Sequence, residues 1–217
     1  MGNRTTELVF IIDQSGSMYG LETDTIGGFN SVLDRQREES GCAYVSTVLF
    51  NDRCQVIHDR ENIKNISHMR RHDYRPSGST ALYDAVGGAI HHISNIHKYA
   101  KKSDIPDKTL FVIITDGMEN SSRNYNAHRI REMISQRKEK YGWEFLFLGA
   151  NMDVEAAAED MGIGSDRAVR YCCDRAGTEI SYEAVNNTVS RFRTSGVIGK
   201  NWKESIERDE KLRGKKS

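Results

Sequence analysis

The sequence of 217 residues has no excess of charge of either sign, since 31 lysines and arginines balance 31 aspartates and glutamates. A protein that binds nucleic acid usually carries a basic excess or a basic stripe, so this balance argues against that function. No apolar stretch approaches the length of a membrane-spanning helix, and the first six residues lack the apolar core of a signal peptide. We therefore expect a soluble, cytoplasmic protein that binds neither nucleic acid nor a membrane.

The sequence also lacks the motifs of several large enzyme classes. It has no phosphate-binding P-loop and no Gly-x-Ser-x-Gly nucleophile turn, and the spacing of Gly16 and Gly20 does not match a dinucleotide-binding loop. No residue is recognisable as a base placed beside a nucleophile. The sequence therefore favours a protein that is not an enzyme.

The four cysteines form neither a zinc-site pattern nor an obvious disulfide. Cys172 and Cys173 are adjacent, which is too close for an ordinary bridge, and no second pair lies at zinc-site spacing. Cys42 and Cys54 flank a predicted hairpin whose turn would place Cys54 opposite Leu49, too far from Cys42 for a disulfide. We expect four buried free thiols.

Strand and helix patterns alternate along most of the chain. The apolar runs at residues 8–12 and 109–114 are typical of strands that are buried on both faces of a parallel sheet. A short turn between residues 43–50 and 53–58 predicts an antiparallel pair. This alternation predicts a doubly wound, Rossmann-like α/β fold, with a mostly parallel sheet, one antiparallel edge strand and helices on both faces.

We predict a single domain over residues 1–197. The remaining residues, 198–217, are rich in charge and poor in apolar side chains. Such composition favours a frayed helix or a partly disordered tail.

Oxygen-bearing side chains follow both buried strands. Asp13, Ser15 and Ser17 come directly after the first strand, Asp116 follows the second, and Thr80 lies in a third loop before a long helix. Loops at the carboxyl ends of strands form the binding edge of an open α/β sheet. Carboxylate and hydroxyl oxygens suit Mg²⁺, Mn²⁺ or Ca²⁺ rather than zinc. We therefore predict that these five residues form a divalent-cation site.

Each of these residues also has an ordinary structural interpretation. Serine, threonine and aspartate commonly cap helices or stabilise turns, and Thr80 could do so at the start of the long helix. Only the convergence of five oxygens from three loops favours a metal. Nearby, Asp84 could support the site or act as a cap, whereas Glu119 and Asn120 are expected to face solvent.

The pattern Asp13-x-Ser15-x-Ser17, followed by Thr80 and by Asp116 with a glycine after it, resembles the metal-ion-dependent adhesion site of von Willebrand factor type A domains. The strings Asp-Gln-Ser-Gly-Ser-Met and Ile-Thr-Asp-Gly are similar to those of intracellular, bacterial-type members. The resemblance implies that Ser15 and Ser17 are direct ligands and that Asp13 and Asp116 coordinate directly or through water. It implies that Thr80 becomes a ligand when a partner binds, with Mg²⁺ or Mn²⁺ as the cation.

The resemblance covers about residues 8–193 and implies a protein-binding module in which a partner's Asp or Glu binds the cation. Two carboxylates neutralise a divalent charge while hydroxyls add none, so the cation stays able to attract an outside carboxylate. The resemblance also suggests that an ATP-driven remodelling protein or a stress-response protein is the partner. Two alternatives remain open: a metal-dependent phosphoesterase or hydrolase that uses the same loops, and a scaffold that the metal only stabilises.

Overall fold

The computed structural model describes residues 5–214, so residues 1–4 of the predicted domain and 215–217 of the predicted tail lie outside the described part. Strands and helices alternate through most of it. The strands are β1 (Thr5–Asp13), β2 (Cys42–Phe50), β3 (Cys54–Asn62), β4 (Lys108–Thr115), β5 (Glu144–Gly149) and β6 (Ala168–Arg170). The helices are α1 (Glu22–Glu38), α2 (Leu82–Tyr99), α3 (Ala127–Tyr141), α4 (Val154–Asp160), α5 (Arg175–Ser195) and α6 (Glu204–Gly214).

The strands form one sheet in the order β3-β2-β1-β4-β5-β6. All neighbouring pairs are parallel except β2 and β3, which are joined by a short turn and run antiparallel at the edge. The predicted fold class is therefore confirmed. Because β1 and β4 are parallel neighbours in the middle of the sheet, the loops that follow them open at the same edge.

The central strand β1 is buried on both of its faces, as its apolar run predicts. Leu8, Phe10 and Ile12 contribute to the core beneath α1 and α5, whereas Val9 and Ile11 contribute to the core beneath α2 and α3. Successive side chains of a strand point to opposite faces, so five consecutive apolar residues supply both cores. This burial fixes the end of β1 firmly in the sheet.

The turn between β2 and β3 differs by one residue from the predicted register. Phe50 pairs with Cys54, and Leu49 pairs with Gln55 rather than with Cys54. The turn is one residue longer because the Asn51 side chain accepts a hydrogen bond from the backbone N–H of Arg53, at 2.9 Å. All four cysteines are free, as predicted, but none is buried, and Cys54 is exposed.

The charged segment after residue 197 contains α6 and three buried apolar side chains. Ile198, Trp202 and Ile206 recur every four residues and pack into the core beneath α1 and α5. The indole N–H of Trp202 donates to the backbone carbonyl of Asp166 at 2.8 Å. These few apolar residues attach the segment despite its charge. Within residues 5–214, no helix is long and apolar enough to span a membrane.

Candidate metal-ion site

The loop after β1 is bent by a hydrogen bond that its backbone donates to the carboxylate at the end of the strand. Asp13 Oδ1 accepts the backbone N–H of Ser15 at 2.6 Å. The chain then enters a short 3₁₀ turn at Gly16–Met18. In this conformation the hydroxyl oxygens of Ser15 and Ser17 lie 3.0 Å apart. The alternate spacing in the sequence thus places two hydroxyls side by side.

The loop after β4 meets this first loop through two side-chain hydrogen bonds. Asp13 Oδ2 accepts the hydroxyl of Thr115 at 2.5 Å. The Ser17 hydroxyl donates to Asp116 Oδ1 at 2.5 Å. The ends of the two buried strands are therefore linked directly, once between the predicted residues Ser17 and Asp116 and once through Thr115, which is not one of the predicted ligands.

Thr80 lies in the third loop, immediately before α2, and its side chain is buried. Asn120 holds its backbone, since the Thr80 N–H donates to Asn120 Oδ1 at 2.9 Å and the Thr80 carbonyl accepts the Asn120 N–H at 3.0 Å. A methyl group at Gly117 would lie 3.3 Å from Thr80 Oγ1 and 3.5 Å from Ser17 Oγ. The Thr80 hydroxyl therefore lies beside the same glycine as the Ser17 hydroxyl, so the structure brings all five predicted residues together.

The two carboxylates of the site are buried without a cationic partner. Asp13 is 0 % and Asp116 is 1 % exposed. Neither forms an ion pair with a lysine, arginine or histidine within residues 5–214. Burial raises the pKa of Asp13 and the nearby Asp116 acts in the same direction, against the hydrogen bonds from Thr115 and Ser15. This arrangement of two buried carboxylates fits the binding of a divalent cation.

The donor set consists of two carboxylates and three hydroxyls. Across the described part of the chain, no group of three or more His, Cys, Asp and Glu side chains could hold a metal ion. Any cation at the candidate site would therefore need hydroxyl oxygens among its ligands, and hard divalent cations bind such oxygens. Ser17 is exposed while Asp13, Ser15, Thr80 and Asp116 are buried, so the site is open to solvent on the Ser17 side.

Besides Thr115, the structure adds two residues to the site that the sequence did not indicate. The Cys173 thiol donates to Asp116 Oδ2 across 3.6 Å, and burial raises the pKa of this thiol to about 12, with Asp116 adding to the shift. The thiol therefore stays protonated and acts as a donor. The buried Tyr74 hydroxyl donates to the backbone carbonyl of Asp13 at 2.6 Å. Both residues come from segments whose position depends on the assembled sheet.

Two acidic residues near the site bind backbone N–H groups. The Asp84 carboxylate accepts the N–H groups of residues 123–125, so it acts as a cap for the loop after β4. Glu119 accepts the N–H groups of Tyr83 and residues 121–122, and the expectation that it faces solvent is wrong. Asn120 is exposed but its side chain holds Thr80. These contacts fix the loop that carries Asp116.

No protein-family model matches the sequence, and no curated protein matches it. Several solved structures do match. A von Willebrand factor type A protein from Catenulispora acidiphila shares 14% identity at a TM-score of 0.58, over 86% of this chain and 43% of that one. Proximal thread matrix protein 1 from the mussel byssus, with a zinc-occupied metal-ion-dependent adhesion site motif, shares 16% identity at a TM-score of 0.58, over 87% of this chain and 46% of that one.

A third match is the manganese-loaded TRAP protein of Plasmodium vivax, with 13% identity and a TM-score of 0.52, over 83% of this chain and 73% of that one. This chain spans less than half the length of the bacterial and mussel proteins. Identities this low establish the fold alone. That fold is the von Willebrand factor type A fold, as the resemblance predicts.

Proposed function

We propose that this chain, whose fold is that of von Willebrand factor type A domains, is a divalent-cation-dependent protein-binding module and not an enzyme. In this proposal Asp13, Ser15, Ser17, Thr80 and Asp116 hold Mg²⁺ or Mn²⁺, and an Asp or Glu of a partner protein binds the same cation. The observation that carries it is the pair of buried carboxylates: Asp13 accepts the Thr115 hydroxyl, Asp116 accepts the Ser17 hydroxyl, and neither pairs with a cationic side chain in the described residues. Zinc and manganese in two structures of the same fold support a divalent cation.

The hydrogen bonds of the site are compatible with hydroxyl ligands. The Ser17 hydroxyl gives its hydrogen to Asp116 and therefore accepts that of Ser15, which leaves one lone pair on the Ser17 oxygen and both on the Ser15 oxygen for a cation. Thr115 and the Ser15 backbone orient the Asp13 carboxylate in a similar way. A bound divalent cation supplies the positive charge that offsets the two carboxylates and attracts a third. Because Ser17 is exposed, a partner could approach the cation from this side.

The surroundings of the two serines support binding rather than catalysis. In the described part of the chain, their hydroxyls contact each other and Asp116, and no histidine or lysine lies within hydrogen-bond distance of either. A serine nucleophile needs an adjacent base that is itself oriented by a third group. A binding role needs only neutral oxygen ligands and access, which these serines offer.

The test is a pull-down with the full chain in Mg²⁺ and again with a chelator, together with an Asp13→Asn variant. We expect a partner that is retained in Mg²⁺, released by the chelator and not captured by the variant. An ATP-driven remodelling protein or a stress-response protein is the partner that the resemblance leads us to expect. Metal-dependent turnover of generic phosphatase or esterase substrates, lost in Asp13→Asn, would replace this proposal by the hydrolase alternative.

Asp153→Asn is a matched control for that variant. The Asp153 carboxylate lies at the same edge of the sheet, in the loop after β5, where it caps α4 by accepting the Ala156 N–H at 3.1 Å and takes no part in the hydrogen bonds of the five predicted residues. Asparagine is as good an N-cap as aspartate, so the fold should be unaffected. If this control loses the partner as Asp13→Asn does, the loss reflects negative charge at this edge of the molecule rather than the candidate site.

A further inference from the structure

A cleft of about 600 Å³ lies between the turn after β1 and the segment that precedes Thr80. On one side it is lined by Tyr19 and Glu22. On the other side it is lined by a basic segment, residues 70–76, through Arg71, His72 and Arg75. The cleft therefore belongs to the same edge of the molecule as the candidate cation site.

Short connections fix the cleft beside the site. Tyr19 is two residues beyond Ser17. The basic segment is attached to the first loop, because Tyr74 donates its hydroxyl to the backbone carbonyl of Asp13 at 2.6 Å. A peptide that places a carboxylate at Ser17 can therefore extend into the cleft.

The cleft concentrates positive charge in a chain whose net charge is zero. Arg71 and Arg75 are exposed, and neither pairs with a carboxylate within residues 5–214. His72 lies 3.2 Å from Asp73, and Glu22 on the opposite wall accepts the backbone N–H of residue 20. Two unpaired guanidinium groups thus face a space with one carboxylate of its own.

Exposed apolar side chains frame the same edge. Tyr19 is 81 % exposed and Met118 is 66 % exposed. They lie two residues beyond Ser17 and Asp116 respectively, so they flank the candidate site. Tyrosine, methionine and arginine are enriched in protein–protein interfaces, where exposed aromatic groups often become central contacts.

We propose that the cleft binds a second acidic side chain of the partner, so that the partner presents an acidic segment rather than a single acidic residue. This inference rests on the proposed function, in which one partner carboxylate binds the cation. A further carboxylate along the same segment pairs with Arg71 and Arg75, while Tyr19 packs against the connecting backbone. Arginine suits this role because its planar guanidinium forms paired hydrogen bonds to a carboxylate.

The test compares two fluorescein-labelled peptides in Mg²⁺ by fluorescence anisotropy: Gly-Glu-Gly-Gly-Gly-Gly and Gly-Glu-Gly-Glu-Gly-Glu. The wild-type chain should bind the three-glutamate peptide about tenfold more tightly, equivalent to about 1.4 kcal/mol. The double variant Arg71→Ala/Arg75→Ala should lose this preference while it still binds the one-glutamate peptide. Raising the salt concentration should shrink the preference as well, because both arginines are exposed.

The control is Arg129→Ala/Arg208→Ala, which removes the same charge from exposed positions on α3 and α6. It should keep the preference. Equal affinity for the two peptides in a wild-type chain that binds Mn²⁺ by calorimetry would overturn this inference alone. A wild-type chain that binds neither Mn²⁺ nor peptide would instead overturn the proposed function. If a single-stranded oligonucleotide or a phosphoserine peptide binds through Arg71 and Arg75 more tightly than the glutamate peptide, the acidic segment is the wrong ligand.

Discussion

Replacing Asp13 by asparagine separates the stability of the fold from the binding of a cation. Asp13 Oδ1 accepts the Ser15 backbone N–H, a bond that the asparagine oxygen can keep. The amide nitrogen would then face Thr115 Oγ1, whose hydroxyl already lies 3.1 Å from the carbonyl of Gly117 and can donate there instead. The variant should therefore fold, because the Ser15 N–H, the Thr115 hydroxyl and one N–H of the new amide all have partners.

Without metal, this variant should be at least as stable as the wild type at pH 7. Burial raises the pKa of Asp13, with Asp116 acting in the same direction against the hydrogen bonds from Thr115 and Ser15. A carboxyl whose pKa is higher in the folded protein destabilises the fold increasingly as the pH rises above its unfolded pKa, and fully above its folded pKa, because the unfolded chain ionises more readily. Asparagine cannot ionise, so its advantage should disappear when the pH falls below the ordinary aspartate pKa of 3.8.

With metal, the order should reverse. A cation that binds only the folded state stabilises it by about 2.7 kcal/mol when its concentration is 100 times the dissociation constant. For a chain of this size, about 1 kcal/mol raises the melting temperature by roughly 2–4 °C. The melting temperature of the wild type should therefore rise by about 5–11 °C in saturating Mg²⁺. That of Asp13→Asn should rise little, because the variant keeps only one of the two carboxylates that bind the cation.

The measurement is differential scanning calorimetry of wild type, Asp13→Asn and the Asp153→Asn control, each with a chelator and with Mg²⁺. A wild type whose melting temperature does not respond to Mg²⁺ or Mn²⁺ would refute the cation site. A metal-free Asp13→Asn variant that is clearly less stable than the wild type at pH 7 would refute the account of the buried charge. The Asp153→Asn control should behave as the wild type does in both conditions.

Three further predictions concern parts of the structure around and behind the site. Cys173→Val should weaken Mn²⁺ binding by about threefold to tenfold, since a hydrogen bond contributes about 0.5–1.5 kcal/mol, and Cys173→Ser should restore it in a calorimetric titration; equal loss in both variants would point to packing instead. Gly28→Ala should lower the free energy of unfolding in urea by about 1–3 kcal/mol because a methyl group there would lie 2.4 Å from the Tyr182 ring, whereas Gly27→Ala, which meets nothing within 4 Å, should raise it by about 1 kcal/mol. Trp202→Ala should lower the same free energy by about 3–5 kcal/mol because the indole is buried, and an unchanged value would mean that the segment after residue 197 adds nothing to the fold.

The supports of the candidate site show where local sequence reasoning stops. Cys173 contacts Asp116 only because β6 lies next to β5 at the end of the sheet, which brings the start of α5 close to the site. Glu119 lies in a polar stretch that suggests solvent exposure, yet its carboxylate holds N–H groups from two separate segments. Such contacts depend on which strands are neighbours, and a residue's own surroundings in the sequence do not contain that information.

Two other features of the structure have causes that are local in the sequence. The turn between β2 and β3 is one residue longer than predicted, because the Asn51 side chain accepts a hydrogen bond from the backbone N–H of Arg53. Asparagine stabilises turns of more than one length in this way, so the sequence pattern does not distinguish this turn from a tighter one. The segment after residue 197 is dense in charge, but the four-residue spacing of Ile198, Trp202 and Ile206 is enough to pack it on the core. Average composition hides a stripe that consists of only three side chains.

The sequence by itself determined the buried strands and the five oxygen-bearing residues, because the period of apolar residues and the short spacing of Asp13, Ser15 and Ser17 are local properties of the chain. Tertiary structure decided what those residues do to one another: Ser17 reaches Asp116 across 99 positions of sequence, and the two aspartates become buried with no lysine, arginine or histidine of residues 5–214 paired to them. The basic cleft beside the site likewise exists only once residues 70–76 are attached to the end of β1. The physical reason is that desolvation and charge pairing depend on the whole surroundings of a group, which only the assembled sheet defines.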